Sequence, residues 1–212
     1  MSARWSSRAG RCATRRSSPQ LRLPAYRSTS PARGISRTEQ DDADFREADL
    51  SEQKLRGRVF EQADFSGADL SSAVFEDCAF LNCRFERTRL SFARLVGCKL
   101  TGSTFLRCDL RPLTVEGGDW SYAVLRGADL RGVSLAGVRL AEADLSDADL
   151  SGGSLAGCDL SHARLRGVKL RGADLRGAVM DGCDVDLVDW TEVRIDVALA
   201  VLLAQARGAR VD

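Results

Sequence analysis

Between Asp41 and Ile195 a large apolar residue occupies every fifth position, from Phe45, Leu50, Leu55 and Phe60 through to Val185, Trp190 and Ile195. Two positions before each stands a mostly small residue, such as Ala43, Ala48, Ala63, Cys78, Ala143 or Cys158. The stretch holds 31 consecutive five-residue units with no insertion or deletion. A period of five fits neither a helix nor an alternating strand, so neither can keep these residues on one side. A solenoid can, if each unit forms one side of a four-sided coil and its apolar residue points inward. Coils stacked at about 4.8 Å then give about eight turns and a rod on the order of 37 Å long.

Four sides of five residues make residues twenty apart neighbours in a column. The expected columns are plausible: one reads Phe45, Phe65, Phe85, Phe105, Leu125, Leu145, Leu165, Val185. Aromatic residues gather early and leucines late, so vertical neighbours match in size. The segment 111–120 keeps the count but departs from the pattern. Pro112 falls in a corner, where it removes an inter-coil hydrogen bond. Leu113 is bulkier than its column neighbours Ala93 and Val133. A local bulge or bend is expected there.

The two ends are different material. Residues 1–38 hold nine Arg and no acidic residue, with Pro19, Pro24 and Pro31 among many serines. Residues 1–40 therefore read as a disordered tail. An organelle transit peptide, a nucleic-acid-binding arm and an upstream start codon are the alternatives. At the other end Asp196 is a good N-cap, Val197–Arg207 favours a helix and Gly208 suits its stop. Residues 196–212 thus form a C-terminal helix and tail. One face of the helix can close the solenoid end. The apolar side chains Val197, Leu199, Val201, Leu202 and Leu203 are enough for a second face, read as a homodimer contact.

Charge alters the picture once the tail is set aside. The whole chain is +1, but residues 39–212 hold 22 basic and 30 acidic residues, a net of −8. The residue before each inward position should face solvent. In one column these are Asp49, Asp69, Arg89, Asp109, Asp129, Asp149, Lys169 and Asp189. Such a strip can be an ordinary solvated face whose carboxylates bond turn amides. Alternatively it imitates a nucleic-acid backbone, at one charge per about 4.8 Å against one per about 1.7 Å in duplex DNA.

Signals of catalysis are missing. His162 is the single histidine, at a turn-like position, and no phosphate-loop or dinucleotide fingerprint occurs. The cysteines lack paired metal-site spacing, so neither a metal nor another cofactor is expected. Six fall at the small inward position and read as packed free thiols of a reducing cytoplasm, although Cys78 and Cys98 are spaced for a disulfide. The chain has no apolar run of the length a membrane span needs.

The units "ADLSS", "ADLRG", "ADLSG" and "CDLSH" resemble the pentapeptide-repeat family. That resemblance implies a right-handed quadrilateral parallel β-helix over 41–195. The runs "FLNCRFERTRL", "CDLRPLTVEGGDWSYAVLRGADL" and "VRIDVALAVLLAQARGARVD" resemble the MfpA/Qnr group of fluoroquinolone-resistance proteins. That likeness implies a non-enzymatic DNA mimic, dimeric through its C-terminal helix, which binds DNA gyrase and not nucleic acid itself. A dimer of about 75 Å would match on the order of 20 base pairs. Asp49, Asp69, Asp109, Asp129, Asp149 and Asp189 would then form the gyrase-binding face. Arg84, Arg89, Arg164 and Lys169 interrupt it. A structural scaffold module, or self-immunity against a gyrase-targeting toxin, are the alternative roles.

Overall fold

The computed structural model describes residues 44–211; the expected tail of residues 1–40 lies outside the described residues. The repeat folds as a parallel β-solenoid. Among the described residues eight three-residue strands occur: β1 (Lys54–Arg56), β2 (Val59–Glu61), β3 (Val74–Glu76), β4 (Ala79–Leu81), β5 (Arg84–Glu86), β6 (Arg94–Val96), β7 (Thr104–Leu106) and β8 (Thr114–Glu116). They pair in parallel as β1-β3-β6-β8, β2-β4 and β5-β7. Every register is an offset of twenty, as in Phe75↔Leu95 and Phe85↔Phe105. Beyond Glu116 single bridges keep the same offset, as in Asp129↔Asp149 and Asp174↔Arg194. The four walls are named here for their first inward residues: Phe45, Leu50, Leu55 and Phe60.

Inward columns build the core. Phe45, Phe65, Phe85 and Phe105 stack with ring centroids 4.8, 4.9 and 4.6 Å apart and planes within 5° of parallel. Phe60 and Phe80 stack at 5.0 Å in the wall opposite to the Leu50 wall. Trp120 ends the aromatic section, and the column positions from Leu125 to Leu175 are fully buried leucines. Offset aromatic packing adds to area burial, so like-on-like stacking stabilises the coil spacing.

The corners explain where the stack is regular. Two residues after each inward position the backbone turns through a left-handed residue, with φ from 52° to 74°. Glycine takes that conformation without strain, which accounts for Gly127, Gly132, Gly152 and their like. Among the described residues two corners depart: Pro112, whose ring fixes φ near −65°, and Leu187, within a 3-10 turn over Val185–Leu187. On the two walls flanking each, the rungs lapse. The bridges Asp109–Asp129 and Thr114–Ser134 are missing beside Pro112, and Arg164–Asp184 and Lys169–Asp189 are missing beside Leu187. The other walls continue through, as in Lys99↔Asp119 and Asp119↔Arg139. The expected irregularity at 111–120 is thus an opening between two coils on two sides. Beside it Gly118 (φ 116°) is indispensable, because a Cβ there would lie 2.2 Å from the Cys98 carbonyl oxygen.

Small inward positions are not all inert. Thr88 and Ser103 hydroxyls donate to the Phe65 and Phe80 carbonyls, each at 2.9 Å. The Cys83, Cys98 and Cys158 thiols make the same contact with Phe60, Phe75 and Leu135. The cysteines described are free, as expected for packed thiols. Burial pushes the Cys83 and Cys158 thiols up to about 11.

After the last coil comes helix α1 (Val197–Ala206). Asp196 caps it, accepting from the Leu199 amide at 2.9 Å. Its other carboxylate oxygen accepts from the Gly177 amide at 2.6 Å, which fastens the helix start to the coil beneath.

Candidate interaction surface

The six aspartates of the Leu50 wall lie in one column. Asp49 bridges to Asp69, Asp69 to Arg89, Arg89 to Asp109, and Asp129 to Asp149 in single parallel rungs. The column is split between Asp109 and Asp129, and again before Asp189, by the two lapses described above. Its members therefore form three short runs.

Each carboxylate has a local task. Asp49, Asp69, Asp129, Asp149 and Asp189 accept from the backbone amides of Ser51, Ser71, Arg131, Ser151 and Thr191, at 2.9 to 3.3 Å. Asp109 makes only a 3.5 Å approach to the Arg111 amide and turns its other oxygen to the Ser91 hydroxyl, 2.6 Å away in the coil beneath. Short-range bonds of this kind are what place Asp before a turn.

Basic side chains meet the same wall. Arg89 pairs with Asp69 at 2.8 Å. Asp129 lies between Arg131, at 2.7 Å, and Arg111, at 2.9 Å. The Arg131 guanidinium hydrogen-bonded to it, joined by the Arg111 charge, holds the Asp129 carboxyl down at about 2. Thr191 holds Asp189 below the usual carboxylate range in the same manner. Counted with its turns, the wall carries eight carboxylates and five basic groups. The single-column reading caught the aspartates and missed Arg111, Arg131 and Arg171, which stand at the turn position next to them.

The opposite Phe60 wall was overlooked. It carries five carboxylates, among them Asp119, Asp159 and Asp181, against Arg58, Lys99 and Arg139. Acidic excess is thus shared by two opposite sides of the coil, three charges on the Leu50 wall and two on the Phe60 wall. The signal was present in the sequence, with Asp119 and Asp159 before the inward residue and Glu61, Glu142 and Asp181 after it.

The helix residues separate into two sets. Leu199 is buried within the chain, so it closes the rod end and offers no surface to a second subunit. Val197 is 80% exposed, and Val201, Leu202 and Leu203 are half-buried. His162 is an exposed left-handed corner residue. Among the described residues no cluster of three metal-ligating side chains occurs, and no helix is long and apolar enough to cross a membrane.

Beside Pro112 the lapse leaves a notch. One cavity of about 370 Å³ is lined by Arg111, Pro112, Leu113, Arg131, Gly132 and Val133. A second of about 320 Å³, on the other side of Arg111, adds Arg107, Cys108, Asp109, Leu110 and Asp129.

Comparison with known proteins agrees with this geometry. Two trypsin-treated variants of QnrB1, described as a plasmid-mediated fluoroquinolone resistance protein, match over 80% of this chain and 85% of theirs. Their identities are 26% and 25%, and their TM-scores 0.74 and 0.73. Full-length QnrB1 matches in fold, with a TM-score of 0.62 at 18% identity over 78% of this chain and 96% of its own. No curated protein matches the sequence. The pentapeptide-repeat description fits residues 43–80 and 143–182, and the related pentapeptide repeat region fits 68–145. With fold, period and sequence in accord, the chain belongs to the pentapeptide-repeat family, whose members form right-handed quadrilateral β-helices, and it is similar to the Qnr proteins.

Proposed function

We propose that the protein binds DNA gyrase in the place of DNA and thereby modulates the enzyme and lessens its poisoning by fluoroquinolones. The observation that carries this reading is the likeness to QnrB1, 26% identical over 80% of the chain. The net charge of −8 on residues 39–212 supports it. Acidic excess on two opposite walls suits imitation of a cylinder better than a single strip does. Action is by binding and not by catalysis, and it takes place in the cytoplasm. Two rods join through the exposed side of α1, at Val197, Val201, Leu202 and Leu203, with Leu199 holding the helix in place. Association is steered by charge and weakens with salt.

Gyrase supercoiling tests the reading. The change must remove charge while keeping the turn caps, so Asp→Asn is the substitution of choice. Wild-type protein should inhibit supercoiling, and Asp109→Asn/Asp149→Asn/Asp189→Asn should need at least tenfold more protein. Equal inhibition by the two would refute the mimic. A scaffold role is the second reading, favoured by the turn-capping of the aspartates and the five basic groups on their wall. It predicts no effect of either protein on gyrase.

A further inference from the structure

We infer that the notch beside Pro112 is a docking site for a carboxylate presented by an acidic loop of a partner protein. The argument begins with the turn position that follows each inward residue of the Leu50 wall. Hydroxyl residues hold it at Ser51, Ser71, Ser91, Ser151 and Thr191. Arginine holds it at 111, 131 and 171, in the coils that border the two lapses of the ladder. Basic groups are therefore concentrated where the wall is open.

The second lapse shows what such an arginine takes. There Arg171 is gripped by Glu192 through two bonds, of 3.0 and 2.8 Å, across the opening. Glu192 lies twenty-one residues on. At the first lapse the residue twenty-one beyond Arg111 is Gly132, which has no side chain. Across that opening, among the described residues, Arg111 meets only Asp129, through one terminal nitrogen, where Arg171 makes two bonds to Glu192.

The rest of the notch fits that ligand. Asp129 fixes both guanidiniums, bonding Arg131 through its Nε and a terminal nitrogen and Arg111 through a terminal nitrogen. Each guanidinium has five donors, so both retain capacity for another acceptor. Arg107, a corner residue at φ 53°, lines the second cavity, on the other side of Arg111. Asp109 also lines the notch, with one carboxylate oxygen held by the Ser91 hydroxyl in the coil beneath. The amides of Leu50, Leu70 and Leu90 each donate to the coil above at 2.8 Å, but no rung receives the Leu110 amide. Pro112, Leu113 and Val133 give the opening apolar walls, and Phe92, 69% exposed, stands one coil below Pro112 at the same corner. Arginines beside apolar walls, held in place beforehand, are the chemistry that binds a carboxylate in a fork. A loop bearing Glu or Asp on a partner protein supplies it.

This inference rests on the gyrase reading only in the choice of one of two probes. The first probe is a fluorescein-labelled hexaglutamate peptide, followed by anisotropy with the full chain. Arg107→Glu/Arg131→Glu should bind it at least tenfold more weakly than wild type. Arg164→Glu/Arg166→Glu makes the same change of net charge on the Phe45 wall and should stay within twofold. Arg107→Gln/Arg131→Gln, checked for an unchanged circular dichroism spectrum and melting point, guards against misfolding and should also lose binding. Absence of binding by wild type, or equal loss in notch and control variants, overturns the proposal. The second probe is gyrase supercoiling. A surface acting by charge alone inhibits more strongly after either reversal; a docking notch inhibits less strongly after the notch reversal alone. Stronger inhibition by the notch variant overturns the proposal and leaves the mimic standing. Wild type that binds hexaglutamate but leaves gyrase untouched sustains the notch and removes the gyrase reading.

Discussion

The coils before Trp120 and those after it carry out one repeat in two ways. All eight strands, β1 to β8, lie in the first set, whose core mixes phenylalanine and leucine in equal number. Corners that follow these strands lack the turn bond from the third residue on to the inward carbonyl. From Trp120 to Met180 every corner makes it, as in Ala143 to Leu140 at 3.1 Å and Ala148 to Leu145 at 3.0 Å. There the inward carbonyls of Leu55, Phe60, Phe75 and Phe85 face the paired strand of the next coil and also accept from Cys78, Cys83, Cys98 and Cys108, while the Phe80 carbonyl, outside any such rung, accepts from Ser103, each twenty-three residues on. The lesson is that a buried carbonyl must be paired, and that the repeat accepts a side chain or a turn amide for the purpose. The carbonyls of Leu95, Phe105 and Val115 have Gly118, Ala128 and Val138 at the corresponding positions, none of which has a side-chain donor.

Substitutions can break or sharpen this comparison. The largest effect belongs to Phe85→Ala, which empties a slot between two stacked rings and should cost about 4 kcal/mol in chemical denaturation. Asp147→Pro puts an unsuited residue at a left-handed corner of the leucine section, where φ is 60°. It should cost about 3 kcal/mol or more and expose the Leu145 and Leu150 amides to hydrogen exchange, a second notch made at will. Intact protection at both amides would mean that Pro112 does not cause the first. Smaller still is Ser103→Ala, expected to cost about 1 kcal/mol because the Phe80 carbonyl loses its hydroxyl partner and the Cys83 amide its acceptor. Cys158→Ala should cost less, since the Leu135 carbonyl keeps the Val138 amide at 2.9 Å. Equal costs would erase the distinction between the two kinds of corner.

The smallest effect is in acid. Asp129 titrates at about 2 in the fold against an ordinary 3.8. Its contribution to stability is present above pH 3.8 and is lost as pH falls through 2, because the unfolded carboxylate takes up its proton first. Urea titrations at pH 5 and pH 2.5 should therefore differ less for Asp129→Asn than for wild type.

How much of this was legible in the sequence follows from what a period encodes. Spacing by five fixed which residues point inward and, through matched sizes, which stack; Phe45, Phe65 and Phe85 needed no coordinates. Pro112 was readable as a lost amide. The lapse of two whole walls was not, because it arises from the left-handed corner that proline cannot form, and the corners were not read as a column. Arg111 and Arg131 were missed because the position directly after the inward residue was not read as a column either, and Asp119 and Asp159 because the columns before it on the other three walls look mixed. Leu199 was grouped with Val197 because the helix is apolar nearly all round, so periodicity gave no means of telling its buried side from its open one.

Displacement of a labelled DNA duplex from gyrase by the wild-type rod tests the central claim most directly. The account predicts competitive displacement that weakens as salt is raised. A ternary complex of gyrase, duplex and rod, or a duplex that stays bound at saturating rod, would contradict it.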